Sequence, residues 1–309
     1  MLSRLKLSVS AGVECAVVNR VGLIGALVLS VAAAGTAASA GAKTVHVRAK
    51  KDDAISKAID RANPGDRLVV HKGTYRDPVV VDKRVRIVGR KKKHGRKSRK
   101  PVINPGCGTD TAFDVTADGV GLRRLKLRGG NVFTLDMSFV DAGVARQLRV
   151  IDTCDALYGI NVFQGGAIRL ASNRASGYLD AGIYVGGIVD TAGGTLLIEE
   201  NDSFANNRGL IVEDSFDLPV SIRVVGNRFH DNTLPGEGDP AGIFVSNSDR
   251  VRFDDNLVEH NGTFGIHLNA SSNENRLFGN TFRANPTNVR DDAGDNCGSE
   301  NVPNEFPPC

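Results

Sequence analysis

One short pattern recurs through the second half of the chain and restricts its fold more than any other feature. A glycine followed by an apolar, any, apolar triplet occurs as Gly159 (GINV), Gly182 (GIYV), Gly209 (GLIV), Gly242 (GIFV) and Gly265 (GIHL), at intervals of 23, 27, 33 and 23 residues. An asparagine preceded by alternating apolar positions recurs beside it at Asn173, Asn201, Asn227, Asn256 and Asn280. From the second of these onward another asparagine follows five residues later: Asn206, Asn232, Asn261 and Asn285. Each unit therefore holds short period-2 stretches separated by Gly, Asn, Asp and Ser turns. Units of about 25 residues are too small to close a core alone but can stack into a coil. Propeller blades need about 40 residues, and leucine-rich repeats need a helix-rich return that is missing. The repeats predict an all-β chain: a single-stranded, right-handed parallel β-helix, or solenoid.

In such a coil, equivalent residues of successive turns lie about 4.8 Å apart. Ile160, Ile183, Leu210, Ile243 and Ile266 are expected to form one inward stack, with Val162, Val185, Val212, Val245 and Leu268 beside it. Aromatics are 6% of the residues, Trp is absent and Gly reaches 35, so a mainly aliphatic core is expected, with Gly and Asn at the corners, where Asn tolerates left-handed backbone angles and its amide can bond to the same group one coil away. Four residues before the Asn landmark stand Arg169, Leu197, Arg223, Arg252 and Arg276, with Arg149 taken as the turn before. Their apolar neighbours point inward, so these arginines should form an outward ladder. A ladder of guanidiniums suits a linear polyanion; a column neutralised by Glu199, Asp254, Asp255 and Asp152 is the competing reading. The triplets' middle residues, Asn161, Tyr184, Ile211, Phe244 and His267, form a second outward column with apolar members. It predicts a groove floor or a surface covered by the insertion Leu234–Pro240.

The two ends differ. Residues 43–130 hold 24 basic and 9 acidic side chains, whereas residues 131–309 hold 12 and 25. Residues 1–40 read as a secretory signal peptide: Arg4, Lys6 and Arg20, the apolar run Leu23 to Ala34, then Ala38-Ser39-Ala40. An uncleaved anchor is the alternative, with a run short for a span of about 20 residues. Cleavage removes Cys15 and leaves Cys107, Cys154, Cys297 and Cys309, which fits two disulfides, Cys297 with Cys309 first because that bond closes a short Pro- and Asn-rich tail. Asp52 to Ala62 has one apolar helical face and predicts a helix capping the β-helix domain, residues 41–309, before strands at Leu68 to His71, Pro78 to Val81 and Val85 to Val88. Arg90–Lys100 holds eight Lys or Arg among eleven residues and reads as a flexible basic loop, either solubilising or attracting an anionic polymer.

Ala54–Gly89 (AISKAIDRANPGDRLVVHKGTYRDPVVVDKRVRIVG) closely resembles the opening of secreted right-handed parallel β-helix proteins of the pectin-lyase-like superfamily, including those with NosD-like repeats. The Gly-Ile and Gly-Asn landmarks match its repeat, and Asn288 to Cys309 looks like the tails of some bacterial secreted members. The resemblance covers nearly all the mature chain and is specific for fold. It implies a secreted or cell-envelope protein, but the superfamily includes polysaccharide lyases, hydrolases, epimerases, esterases and members without known chemistry. The paired aspartates of polygalacturonases are absent, and so is a clear match to the calcium-binding acidic set of pectate lyases. Asp239-Pro240 resembles a dipeptide of alginate epimerases without its surrounding residues.

The expectation is a protein that binds, and as an enzyme would process, an anionic polysaccharide such as a uronan; the alternative is a non-catalytic structural or surface-interaction module. Arg149, Arg169, Arg223, Arg252, Arg276, Tyr184 and Phe244 are the candidate binding residues. Asp180, Glu213, Asp214 and His267 are the candidate catalytic ones, with Asp217, Tyr158 and Tyr178 close by, because proton abstraction beside a uronate, or acid/base glycoside cleavage, uses such groups. No metal ligand set is recognised, no cofactor is firmly implied, and calcium is left open. No specific nucleic-acid partner is expected, and the chain should act as a monomer without a membrane span after cleavage. Intact-mass measurement of the exported protein should place its N-terminus at Gly41 or Lys43, and a retained leader would show an anchor instead.

Overall fold

The structure, a computed structural model, describes residues 41–50, 53–90, 100–188, 194–216 and 222–309. The leader, the basic segment Lys91–Arg99, Asp52 and Asp217 lie outside the described residues. From Gly41 onward the chain winds into a parallel β-helix of about nine turns, built from three parallel sheets of 11, 9 and 9 strands, here sheets A, B and C. A representative turn runs through Ala142–Arg146 in sheet A, Arg149–Ile151 in sheet B and Tyr158–Phe163 in sheet C.

The expected inward stack is in register: Ile160, Ile183, Leu210, Ile243 and Ile266 pair in succession along sheet C, as do Val162, Val185, Val212, Val245 and Leu268. All ten are buried. The rest of the core is largely aliphatic, with Phe113, Phe229, Phe253 and Phe282 fully enclosed. At the N-terminal end the helix is Ala54–Asp60, shorter than Asp52 to Ala62, and it buries Ile55 and Ile59 against the first turns. The strand Thr44–Val47, absent from the sequence reading, precedes it and extends sheet A by one rung, pairing with Arg67–Val70.

Of the two roles expected of the corner asparagines, the amide bond to the next coil is the one the structure shows. The left-handed residue at each corner is the one before the asparagine: Ser172, Glu200, Gly226, Asp255 and Gly279 at the turn from sheet A to sheet B, and Ala205, Asp231, His260 and Ala284 at the next turn. The asparagines are buried relays. Asn227 Nδ2 donates to the Ile198 carbonyl (2.8 Å) and to Asn256 Oδ1 (2.9 Å), while Asn227 Oδ1 accepts from the Asn201 backbone N–H (2.9 Å). The relay runs from Asn173 to Asn301, and a second runs from Asn206 to Asn285. Side-chain amides thus satisfy the backbone groups that a tight corner leaves over.

Both disulfides form, Cys107 with Cys154 and Cys297 with Cys309. The second closes the tail whose Cys297–Ser299 strand ends sheet A. Asn227→Ala would strand the Asn201 N–H and the Ile198 carbonyl in the interior. A loss of about 2 to 4 kcal/mol is expected, read as a lower urea midpoint, whereas substitution of exposed Asn304 should leave the midpoint unchanged.

Candidate functional site on the outer face of sheet C

The register of sheet C converts sequence intervals into an outward column: Asp136, Asn161, Tyr184, Ile211, Phe244, His267 and Arg290. A second column, from residues just before the glycine landmarks, runs Phe133, Tyr158, Ala181, Arg208, Ala241 and Phe264. Rings from the two columns meet. Phe133 and Tyr158 stack at 5.7 Å between centroids, Tyr158 and Tyr184 lie at 4.7 Å, and His267 sits 5.3 Å from Phe244 and 4.8 Å from Phe264.

The polar groups are threaded between these rings. Arg208 Nη1 donates to Asp180 Oδ1 at 2.7 Å while its guanidinium lies 4.7 Å over the Phe244 ring. Tyr158 also bonds to Asp180, and Tyr184 Oη donates to Glu213 Oε2 at 3.0 Å. Burial first, then the negative charges of Asp180 and Glu213 respectively, hold the Tyr158 and Tyr184 phenols protonated well above their ordinary range. Burial also raises the Asp180 carboxyl, against the opposing pull of Arg208. His267 Nε2 lies 3.0 Å from Asp292 Oδ2, a carboxylate lowered by its bonds to Arg290 and then to His267.

The insertion Leu234–Pro240 does lie over part of this face. Asn207 Nδ2 donates to the carbonyls of Leu234 (2.7 Å) and Gly238 (3.0 Å). The close approach requires glycine: a Cβ on Gly236 would meet the Leu179 carbonyl at 1.7 Å, and one on Gly238 would meet Arg208 Nη2 at 1.7 Å. Beneath it the Arg208 and Asp180 side chains are only 11% and 7% exposed.

Asp180, Glu213, Tyr184, Phe244 and His267 are therefore linked through Arg208 and Tyr158. Asp214 stands aside, at a left-handed corner, accepting from Asn247 Nδ2 at 2.8 Å. Tyr178 is fully buried and donates to Thr134 Oγ1. Arg208 was absent from the candidate set; the signal that finds it is the position before each glycine landmark, where Tyr158 and Phe264 also stand.

The arginine ladder needs two corrections. Arg149 does not belong to it: Arg149 pairs with Lys126 and Arg174 in sheet B, and Val144 is the residue aligned with Arg169 in sheet A. The cause is local. Leu148 replaces asparagine at that corner, so no landmark marks it; the residue four before it is Val144, and Arg149 is the residue just after it. The rest of the column is largely neutralised, as the competing reading held. Arg169 pairs with Glu199, and Arg223 (3.1 Å) and Arg252 (2.8 Å) share the buried Asp254.

Fold and site together define a parallel β-helix of pectate-lyase type with an aromatic and carboxylate-lined outer sheet. The model of the family described as periplasmic copper-binding protein (NosD) matches residues 137–302, more than half of the chain, and the chain belongs to that family. Its fold is similar to that of the pectate lyase Pel9A (TM-score 0.60, 12% identity, 86% of this chain and 81% of that one). It is also similar to an alginate lyase from Paenibacillus sp. str. FPU-7 (TM-score 0.55, 16% identity, 84% and 94%). A third similar structure is ORF18 of Geobacillus virus E2 (TM-score 0.54, 15% identity, 82% of this chain but 61% of that one). No curated protein matches in sequence. The family's periplasmic description and the two disulfides agree with an extracellular or periplasmic setting. Among the described residues no helix is long and apolar enough to cross a membrane.

The family description implies copper, and the donors were weighed against it. Among the described residues no three His, Cys, Asp or Glu side chains converge as a metal-holding group. Cys107, Cys154, Cys297 and Cys309 are in disulfides and Met137 is in the core. His46 Nδ1 and His71 Nε2 lie 3.2 Å apart, but Arg90 Nη1 stands 3.1 Å from the other His71 nitrogen, a cation where a metal would approach. Among the described residues the donor set does not fit copper, and no such acidic group is present for calcium either.

Arg208→Met would leave Asp180 enclosed without its cation, a loss of about 3 to 5 kcal/mol where the carboxyl is charged. A carboxyl with a raised folded pKa contributes stability that is fully present below its unfolded value, 3.8 for Asp180, and lost as pH rises through the folded value. The variant should therefore lose more thermal stability at about pH 7 than at about pH 4, and adding Asp180→Asn should restore most of it. An equal loss at both pH values would rule out a stranded carboxylate as the cause.

Proposed function

We propose that the outer face of sheet C binds a linear polysaccharide and that the protein is a glycan-binding β-helix of the cell envelope or extracellular space. The carrying observation is the half-exposed file of Phe133, Tyr158, Tyr184 and Phe244, set among Asp180, Glu213 and Arg208. Rings present apolar faces to sugar C–H groups, and carboxylates beside them accept sugar hydroxyls. Similarity of fold to a pectate lyase and an alginate lyase supports polysaccharide as the ligand class. This face has more carboxylates than cations and is suited to hydroxyls, so the anionic character expected of the polymer rests on the arginines of sheet A that have no carboxylate partner among the described residues.

Turnover is the second reading. Tyr158 and Tyr184, held as phenols beside carboxylates, have the protonation state of general acids, and His267 with Asp292 supplies a nearby imidazole. The mutual neutralisation of Arg208 and Asp180 under Leu234–Pro240 favours binding over catalysis.

Binding to oligomers of galacturonate, mannuronate and guluronate at high salt, where attraction between exposed charges is screened, tests the proposal, with ultraviolet absorbance following unsaturated products. Tyr158→Ala combined with Tyr184→Ala should weaken binding about thirtyfold, at about 1 kcal/mol per ring, while Tyr158→Phe should bind nearly as well as the parent. Unchanged affinity in the double variant would exclude this face.

A further inference from the structure

The positive charge of the N-terminal third is arranged on sheet A, away from the face just described. Arg67, Arg86, Gly121, Val144 and Arg169 align along one outward column over five successive rungs. The neighbouring column on the same rungs reads Val69, Val88, Arg123, Arg146 and Ala171. Wherever the first column has a small or apolar residue, the second has an arginine. Each of the five rungs thus presents one guanidinium, and the side chains bend around a pit floored by Gly121 and Val144. The result is a groove of about 670 Å³ whose lining holds all five arginines, together with aliphatic residues and glycines, and neither a carboxylate nor an aromatic ring.

This stretch differs from the rest of the ladder in its compensation. From Arg169 onward the arginines pair with Glu199 and Asp254. Within the groove, Arg123 Nε donates to the neutral Gln147 Oε1 at 3.0 Å. Beside it, Arg124 is lowered by burial and then by the like charges of Arg123, Arg67 and Arg146. Among the described residues, Arg67, Arg86, Arg123 and Arg146 have no carboxylate partner, whereas Arg169 at the far end of the groove pairs with Glu199.

We infer that the sheet A groove is a binding site for a linear carboxylate-bearing polymer, a polyuronate, laid along the helix axis. Guanidiniums repeating every rung, about 4.8 Å apart, meet carboxylates repeated once per sugar, and each planar fork can accept a carboxylate in bidentate geometry. The aliphatic floor lets sugar rings lie close. A single-stranded nucleic acid would bring bases that need aromatic platforms, and this groove has none. The inference goes beyond the proposed function and does not depend on it, since the two surfaces share no residue.

The test measures binding of polygalacturonate to the exported protein across a salt series, with oligo-dT and a neutral glycan as comparison ligands. The parent should bind polygalacturonate in preference to both. Arg86→Gln combined with Arg146→Gln should weaken binding at least tenfold and flatten its salt dependence, with the unfolding midpoint unchanged. Val144→Glu, which places a carboxylate on the floor, should do the same through a different residue. Lys72→Gln, an exposed cation outside the groove and outside sheet C, should leave this salt-sensitive binding in place. No binding by the parent at low salt, parent-like binding by both groove variants, or an equal preference for oligo-dT would overturn the inference. Loss of binding in the Tyr158→Ala, Tyr184→Ala variant alone would place the polyuronate on sheet C instead.

Discussion

The parallel stacking of rungs through buried corner amides is the interaction on which the rest of this structure depends. A corner in which one residue turns left-handed leaves backbone N–H and carbonyl groups facing the interior, where an unmade bond costs about 1 to 3 kcal/mol. Asn173, Asn201, Asn227, Asn256, Asn280 and Asn301 meet that demand by passing each bond to the next rung. The relay works only if successive corners lie in register. That same register aligns Ile160 with Ile183 and Leu210 inside, and Tyr184 with Ile211 and Phe244 outside.

Because register is fixed at the corners, the outward columns are free to carry different chemistry on different sheets. Sheet C carries rings with carboxylates between them. Sheet A carries arginines, uncompensated near the N-terminal third and paired with Glu199 and Asp254 further on. The charge imbalance along the sequence, 24 basic and 9 acidic residues in 43–130 and 12 against 25 in 131–309, is thus in part the linear trace of two surface regimes on one scaffold.

The coil was legible because its signals are periodic and redundant: glycine, the apolar triplet and asparagine each mark the same repeat. The five inward pairs and both disulfides followed from that pattern and from the cysteine count. Reading failed where a landmark was replaced. Leu148 fills the corner position taken elsewhere by asparagine, its N–H still received by Asn173 Oδ1 at 3.0 Å, and Arg149 was thereby assigned to the wrong sheet. Arg208 was missed because its partners, Asp180, Tyr158 and the loop carbonyl-lined turn at Gly238, come from three separate segments whose meeting no local pattern announces. The sheet A groove escaped for a related reason: its arginines alternate between two columns, so neither column alone reads as a continuous charge stripe.

A stacked coil also limits how far a change at one surface can travel. Each rung contacts chiefly its neighbours, so stability is close to a sum of rung and interface terms. Outward side chains such as Arg86 and Tyr184 can then be exchanged without disturbing the inward stacks of their immediate neighbours along the strand, Ile87, Ile183 and Val185. The backbone beneath both surfaces is held before any ligand arrives, which removes part of the ordering cost that weakens binding by flexible segments. Polymer recognition suits this arrangement in particular, because a repeating ligand gains one further contact for each rung it crosses, at a spacing the backbone hydrogen bonds have already set.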